Sequence, residues 1–370
     1  MKKILIIDDS ALMRRVLSDI INSDSEMCVT DTAENGIEAT KLFAQGKLYD
    51  LILLDINMPG MDGIGFLDFM KKNRLRIPIL IISSIASKNA EETIRALELG
   101  AYDFIKKPEN GIHFNMADFQ HQVIAKAKCA FIIRKRPSRV LPAEQKTGEA
   151  KSVRQEEIKP ERKKKARQSE KKAHQSEKKA FNCDFAVIAS STGGPKALQS
   201  VVSKLPSKFA CPIVIVQHMP AGFTASLTKR LDEMAVCPVI EAEDGMRVEP
   251  GKVYVAKGGF HIRITEDDNG PFFTETKDAL RNGLRPCADV FLESLQEVRY
   301  EKILCVVMTG MGNDATAGLK KLKEKKNVYA IGQSEQTCVV YGMPCSLVKA
   351  GLNDEVADLE CIAQAMLQKM

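Results

Sequence analysis

Leu51-Ile-Leu-Leu54-Asp55-Ile-Asn57-Met-Pro59-Gly-Met-Asp62-Gly63 is the stretch whose reading decides the fold. Its four consecutive apolar residues are too few for a helix and do not alternate with polar ones. They read as a strand buried on both faces, as in a parallel sheet. Asp55 falls at the carboxyl end of that strand, and Pro59, Gly60 and Gly63 mark the loop that follows. The same unit recurs outward in both directions. Ile4–Ile7 is a buried strand ending at Asp8 and Asp9, Ile79–Ile82 ends at Ser83, and Asp103–Lys107 ends at Pro108. Between them lie a helix over Ala11–Ile20, with Leu12, Val16 and Ile20 at helical spacing, and a strand over Val29–Ala33. Further helices cover Gly36–Phe43 and Glu91–Leu99, the second stopped by Gly100. Strands alternating with helices predict a doubly wound α/β domain with five parallel strands, its site at their carboxyl ends.

The chain has 370 residues, 44% hydrophobic and 28% charged, which predicts a soluble globular protein of two or three domains. No apolar run approaches the ~20 residues that span a bilayer. Asp8 and Asp9 end the N-terminal apolar run after four residues, so neither export nor a transmembrane segment is expected and the placement is cytoplasmic. Ten cysteines without a CxxC pair fit reduced thiols better than a zinc site or a disulfide framework. The net charge of +6 is unevenly spread. Residues 134–180 carry 17 Lys/Arg and 7 Glu, a balance of +10, leaving −4 for the rest. That segment has almost no large apolar residues and ends in a tandem repeat, RQSEKKA then HQSEKKA, with no Leu, Ile or Val for a coiled-coil seam. It reads as a disordered basic linker. The organisation is therefore a front domain over 1–125, a linker over 126–180 and a rear domain over 181–370.

In the front domain Asp8, Asp9, Asp55, Ser83 and Lys107 all fall at strand ends and project at one edge. Three crowded carboxylates repel one another unless a hard cation such as Mg²⁺ sits among them. A carboxylate beside Mg²⁺, a Lys and a hydroxyl can accept a phosphoryl group. With the Asp55–Gly63 loop, these residues resemble the receiver domain of bacterial two-component response regulators, over about 1–125. The resemblance implies that Asp55 is the phosphoacceptor and that Asp8, Asp9, Asp55 and the Asn57 backbone carbonyl hold Mg²⁺. Ser83 and Lys107 would contact the phosphoryl group, and Phe104 would be the aromatic switch residue. Receivers often carry Glu or Asp where this chain has Asn57, a small difference for a backbone ligand.

The rear domain repeats the pattern with strands Phe185–Ala189, Ile213–Val216 and Ile303–Met308, each running into a polar or Gly-rich loop. Val239–Phe273 is β-rich and Gly-punctuated and predicts hairpins beside the main sheet. Ser190-Ser191-Thr192-Gly193-Gly194-Pro195 lacks the spacing of a P-loop or a dinucleotide site. It suits a serine presented beside backbone donors. His218 follows the second strand and Asp314 the third, at the same sheet edge. A neutral His can take the proton of a serine hydroxyl while a carboxylate fixes its tautomer. Alternatives stay open at this level. Asp314 can simply cap the helix over Ala315–Lys323, Ser190 and Ser191 can both be turn hydroxyls, and His261 is the other histidine of this domain.

The stretches SSTGGPKAL, VIVQHMPAGFTASLTKRL, AEDGMRVEPGKVYVAKGGFHI, LRPCADVFLESL, MTGMGNDATAGL and CVVYGMPCSLV resemble the CheB family of chemotaxis protein-glutamate methylesterases. They cover almost all of 181–370. The resemblance implies a triad of Ser191, His218 and Asp314, with Thr192 and Met311 beside the reacting carbonyl. Two departures stand out: Ala189-Ser190 replaces the usual Gly-Ala before the nucleophile, and Ala315 replaces the usual Gly after the triad Asp. The implied reaction is hydrolysis of glutamate γ-methyl esters on methyl-accepting chemotaxis receptors, with glutamine deamidation as a second activity. A chemotaxis histidine kinase would phosphorylate Asp55 with Mg²⁺ and relieve a receiver that covers the esterase edge; the ester chemistry needs no cofactor. The alternative is a non-catalytic, phosphorylation-gated binding module whose basic linker contacts nucleic acid, membrane or receptor. No aromatic residue interrupts the basic run and no recognition helix or zinc spacing appears, so nucleic acid is not the expected partner.

Overall fold

A computed structural model describes residues 1–84, 87–108, 115–134 and 181–370; most of the expected linker, 135–180, lies outside the described residues. In the front domain β1 (Lys2–Ile7), α1 (Ala11–Asn22), β2 (Met27–Ala33), α2 (Gly36–Ala44), β3 (Leu51–Leu54) and α3 (Gly63–Lys72) alternate. They are followed by β4 (Ile79–Ser83), α4 (Ser87–Leu99), β5 (Asp103–Lys106) and α5 (Met116–Arg134). The sheet order is β2-β1-β3-β4-β5, with neighbours parallel. Ile4 lies opposite Leu51 and Ile7 opposite Leu54, so the runs that precede Asp8 and Asp55 end in register. Both runs are fully buried, as expected for strands covered on two faces. Ser10, Asn35 and Asp62 cap α1, α2 and α3 through side-chain bonds to backbone N–H groups.

Helix α5 reaches beyond the expected boundary at residue 125. Its Ala127, Cys129 and Ala130 are buried in the front core, so the helix carries the front domain past residue 125 into the expected linker.

The rear domain contains β6 (Phe185–Ser190), α6 (Gly194–Val202), β7 (Ile213–Gln217), α7 (Phe223–Met234), β8 (Val239–Glu241) and β9 (Val253–Val255). Next come β10 (His261–Asp267), β11 (Gly270–Thr276), α8 (Ala288–Ser294), β12 (Lys302–Val307) and α9 (Thr316–Lys325). The chain ends with β13 (Asn327–Gln333), α10 (Met343–Lys349), β14 (Glu355–Ala357) and α11 (Leu359–Leu367). Seven parallel strands run in the order β14-β13-β12-β6-β7-β9-β8. From β6 the chain first builds outward through β7 and later returns to place β12 on the opposite side. That reversal is the topological switch point where doubly wound sheets bind ligands.

The expectation of hairpins over Val239–Phe273 holds only in part. β10 and β11 form an antiparallel hairpin, whereas β8 and β9 pair in parallel and extend the main sheet beyond β7. Among the described residues no helix is long and apolar enough to cross a membrane.

Candidate functional site

The sheet edge of the front domain gathers the expected acidic residues. Asp8 and Asp55 are buried and Asp9 is exposed, and one oxygen from each lies within 4.8 Å of the others. Lys107 Nζ stands 2.6 Å from Asp55 Oδ2 and 2.8 Å from Asp8 Oδ2. Asp55 Oδ1 accepts the Ile56 N–H at 2.7 Å. Burial pushes the Asp55 carboxyl above its ordinary value, with Asp8 adding to the shift and Lys107 opposing it. Burial works against the Lys107 charge, yet Asp55 and Asp8 outweigh it and raise the ammonium. Three hard oxygen donors around a partly open point fit Mg²⁺. Ser83 is buried and accepts a hydrogen bond from Thr93 Oγ1 at 2.8 Å, while Asn57 is exposed in the loop after β3. Phe104 is buried on β5.

At the edge of the rear domain the two serines separate. Ser190 is fully buried and its Oγ donates to Gln217 Oε1 at 2.7 Å, so it braces β6 against β7. Ser191 is partly exposed, and its Oγ has no hydrogen-bond partner among the described residues. Its backbone is held on three sides: its N–H donates to Thr309 O at 3.0 Å, and its carbonyl accepts Gly194 N–H at 2.8 Å and Gln217 Nε2 at 3.0 Å. Gly193 turns the chain with φ at +78°, a conformation side chains rarely tolerate. Gly310 passes so close that a Cβ there would stand 2.8 Å from Ser191 Cβ.

His218 leaves β7 with its N–H bonded to Ser190 O at 3.0 Å. Its Nε2 lies 2.6 Å from Asp314 Oδ2, and its buried Nδ1 has no partner among the described residues. Asp314 also accepts Ala288 N–H at 2.6 Å, Asp289 N–H at 2.9 Å and the Cys287 thiol at 3.1 Å. It does not cap α9; that position belongs to Ala315, whose φ of 76° makes the turn into the helix. Burial works against the Asp314 charge, but His218, Cys287 and the Asp289 amide outweigh it. They hold the carboxyl well below the usual carboxylate range. A carboxylate so held can accept the Nε2 proton of a neutral imidazole, the tautomer that frees Nδ1. His261 lies elsewhere, with its Nε2 3.1 Å from Ala279 O, and does not meet Asp314.

The fold thus joins His218 directly to Asp314 and brings Ser191 to the adjoining strand end, without a hydrogen bond from its Oγ to the imidazole. The receiver meets the same edge. Thr192 Oγ1 donates to Asp103 Oδ2, itself paired with Lys126 at 2.9 Å. The Phe104 ring lies 4.6 Å from that of Phe223, and the Cys129 thiol lies 3.4 Å from Met311 Sδ. Beside this contact Glu98 binds Arg230 Nε at 2.6 Å and Gln199 Nε2 at 3.0 Å, and Lys229 reaches Glu91 at 2.8 Å. Asp103, Phe223 and Cys287 escape a reading of the sequence, because their partners come from distant segments. For Cys287 the one available signal is its place in LRPCADVFLESL.

Comparison with known proteins agrees with this architecture. A family described as CheB methylesterase matches residues 186–366, and one described as the response regulator receiver domain matches 4–115. A protein-glutamate methylesterase/protein-glutamine glutaminase 1 of Syntrophomonas wolfei is 38% identical over 373 residues, covering 100% of this chain and 99% of that protein. The chain belongs to the CheB methylesterase family. The family's Bacillus subtilis protein-glutamate methylesterase/protein-glutamine glutaminase is 38% identical, covering 99% of this chain and 98% of its own length. Among solved structures, the Thermotoga maritima CheB methylesterase catalytic domain is 40% identical and covers 51% of this chain and 100% of its own, with a TM-score of 0.49. Membership in this family makes the chain a hydrolase of the response-regulator class and sets aside the non-catalytic binding module.

Proposed function

We propose that this chain hydrolyses glutamate γ-methyl esters on methyl-accepting chemotaxis receptors in the cytoplasm, with Ser191 as nucleophile, His218 as base and Asp314 as the group that orients the base. The observation that carries the reading is the 2.6 Å bond from His218 Nε2 to Asp314, which leaves a buried, unpartnered Nδ1 at the strand end next to Ser191. Ser191 Oγ attacks the ester carbonyl as Nδ1 takes its proton. The C–O bond to the methoxy group then breaks, and the imidazolium gives that proton to the leaving methoxide, releasing methanol. Water repeats the sequence on the acyl-enzyme and frees glutamate. Because Thr309 O already occupies the Ser191 N–H, donors for the oxyanion come from the amides that follow it. Thr192 and Met311 line the approach. The same steps applied to a glutamine side chain release ammonia, and deamidation is the second activity.

Control follows from the contacts of Asp103, Phe104 and Cys129 with Thr192, Phe223 and Met311. While these stand, Thr192, the neighbour of Ser191, is engaged by the receiver. Transfer of a phosphoryl group from a histidine kinase to Asp55 loosens that contact; Asp8, Asp9, Asp55 and the Asn57 carbonyl would hold Mg²⁺, and Lys107 and Ser83 would contact the phosphoryl oxygens. The metal supplies charge neutralisation at the transferring oxygens.

Methanol release from methylated receptor membranes, with and without a small phosphodonor in Mg²⁺, tests the whole account. Release that the phosphodonor stimulates and that Ser191→Ala loses supports it. Release unchanged in Ser191→Ala overturns the triad, and release indifferent to phosphodonor overturns the control.

A further inference from the structure

The carboxylate that orients the base has a second oxygen, and its environment is unusual. Asp314 Oδ2 is shared by His218 Nε2 and the Ala288 N–H. Asp314 Oδ1 receives the Asp289 N–H and one side-chain donor, the thiol of Cys287 at 3.1 Å. Cys287 is 1% exposed and Asp314 2%, so no water replaces a donor that is lost. Burial pushes the Cys287 thiol up, and the neighbouring Asp314 charge adds to that, so the sulfur keeps its proton and can only donate. The two charged neighbours matter as well. Asp289 is pushed up to about 6, by burial first and then by the charge of Asp314 and a side-chain hydrogen bond to it, while the Gly318 N–H and Arg281 draw it down. Its carboxylate accepts the Gly318 N–H at 2.6 Å, and Arg281 is occupied by Glu293. Arg281 does not donate to Asp314, and the Asp289 carboxyl can bond it only when it carries a proton, so the thiol is the side-chain donor that remains when Asp289 is ionised.

We infer that Cys287 is a positioning residue of the esterase, its thiol fixing the rotation of the Asp314 carboxylate and sharing its charge, and through that carboxylate orienting the His218 ring. The inference rests on the triad reading above. A carboxylate short of one donor attracts the Nε2 proton more strongly, which makes the imidazolium easier to form and harder to discharge. The orientation of the ring loosens at the same time.

The test uses the full-length chain with phosphodonor and methylated receptor membranes, following kcat and KM across pH. Cys287→Ser keeps an O–H donor and retains turnover within about twofold of wild type. Cys287→Ala lowers kcat about tenfold with KM unchanged, and moves the acid limb of kcat/KM up by about half a pH unit. If the smaller side chain prevents folding, Cys287→Val fills the space without a donor and shows the same limb shift. A donor-less variant whose kcat and acid limb match wild type overturns the inference, as does Cys287→Ser behaving like Cys287→Ala. Asp314→Ala assayed alongside separates the two levels: its inactivity keeps the triad while the thiol is judged, and its full activity removes both.

Discussion

Asp55 and Asp314 are the same side chain at the same kind of place, a buried carboxylate just past a parallel strand, yet they are pushed in opposite directions. Asp55 has one backbone donor and one ammonium, shares that ammonium with Asp8, and sits above its ordinary value. Asp314 has four donors, which outweigh both its burial and its Asp289 neighbour, and sits well below. Burial acts against the charged form in both, so the number and sharing of donors decide the outcome. The contrast suits the two proposed tasks. A group that holds a cation and accepts a phosphoryl group is left underneutralised, whereas one that fixes a histidine keeps a permanent charge.

The comparison breaks most visibly through chemistry at the rear edge. His218→Ala is expected to reduce methanol release about a millionfold, to the assay floor, as loss of a triad base does elsewhere. Ser190→Ala, one residue from the nucleophile, leaves activity within a few-fold, since its hydroxyl only braces Gln217; equal losses in Ser190→Ala and Ser191→Ala count against the assignment. Asp314→Asn, which keeps shape and removes charge, costs about ten-thousandfold in kcat.

At the front edge Asp55→Ala abolishes labelling by a small phosphodonor and the stimulation that follows, with basal turnover kept; labelling that persists shows the acceptor lies elsewhere. Smaller still is the domain contact. Asp103→Ala frees Thr192 Oγ1 and is expected to raise unstimulated turnover several-fold, about the worth of one charge-assisted bond. No rise means the bond to Thr192 does not restrain the site.

The smallest effects sharpen the contrast itself. A lowered carboxyl contributes stability present above its ordinary value and lost as pH falls through the folded one. A raised carboxyl contributes stability present below its ordinary value and lost as pH rises through the folded one, so its charge costs stability at neutral pH. At pH 7 Asp55→Asn is therefore expected to raise Tm by a few degrees and Asp314→Asn to lower it by a similar amount. Shifts of the same sign in both variants contradict the account.

The sequence made the sheets readable because Ile4–Ile7, Leu51–Leu54 and Phe185–Ala189 are short unbroken apolar runs that only buried parallel strands explain. Helix α5 is harder to see. Phe119, Val123, Ala127 and Ala130 are buried, Ile124 and Phe131 pack against the same core half-buried, and Ile132 is exposed, so no single narrow apolar stripe marks its extent. β8 and β9 are three residues each, too short for a period, and their parallel pairing is set by β7, a decision made by tertiary contact. The site shows the same division. Asp55, His218 and Asp314 announce themselves at strand ends, but the donors that set their charges, Cys287 and the amides of α8 among them, reach Asp314 from about 25 residues earlier in the chain.

Phe104 joins these two halves. The ring that the receiver resemblance marks as the switch residue is seated against Phe223, at the head of the helix after the His218 loop. One ring cannot occupy two places. On the proposed control, a ring drawn inward toward Ser83 would empty its seat on Phe223, and one side chain would then serve as both reporter and latch.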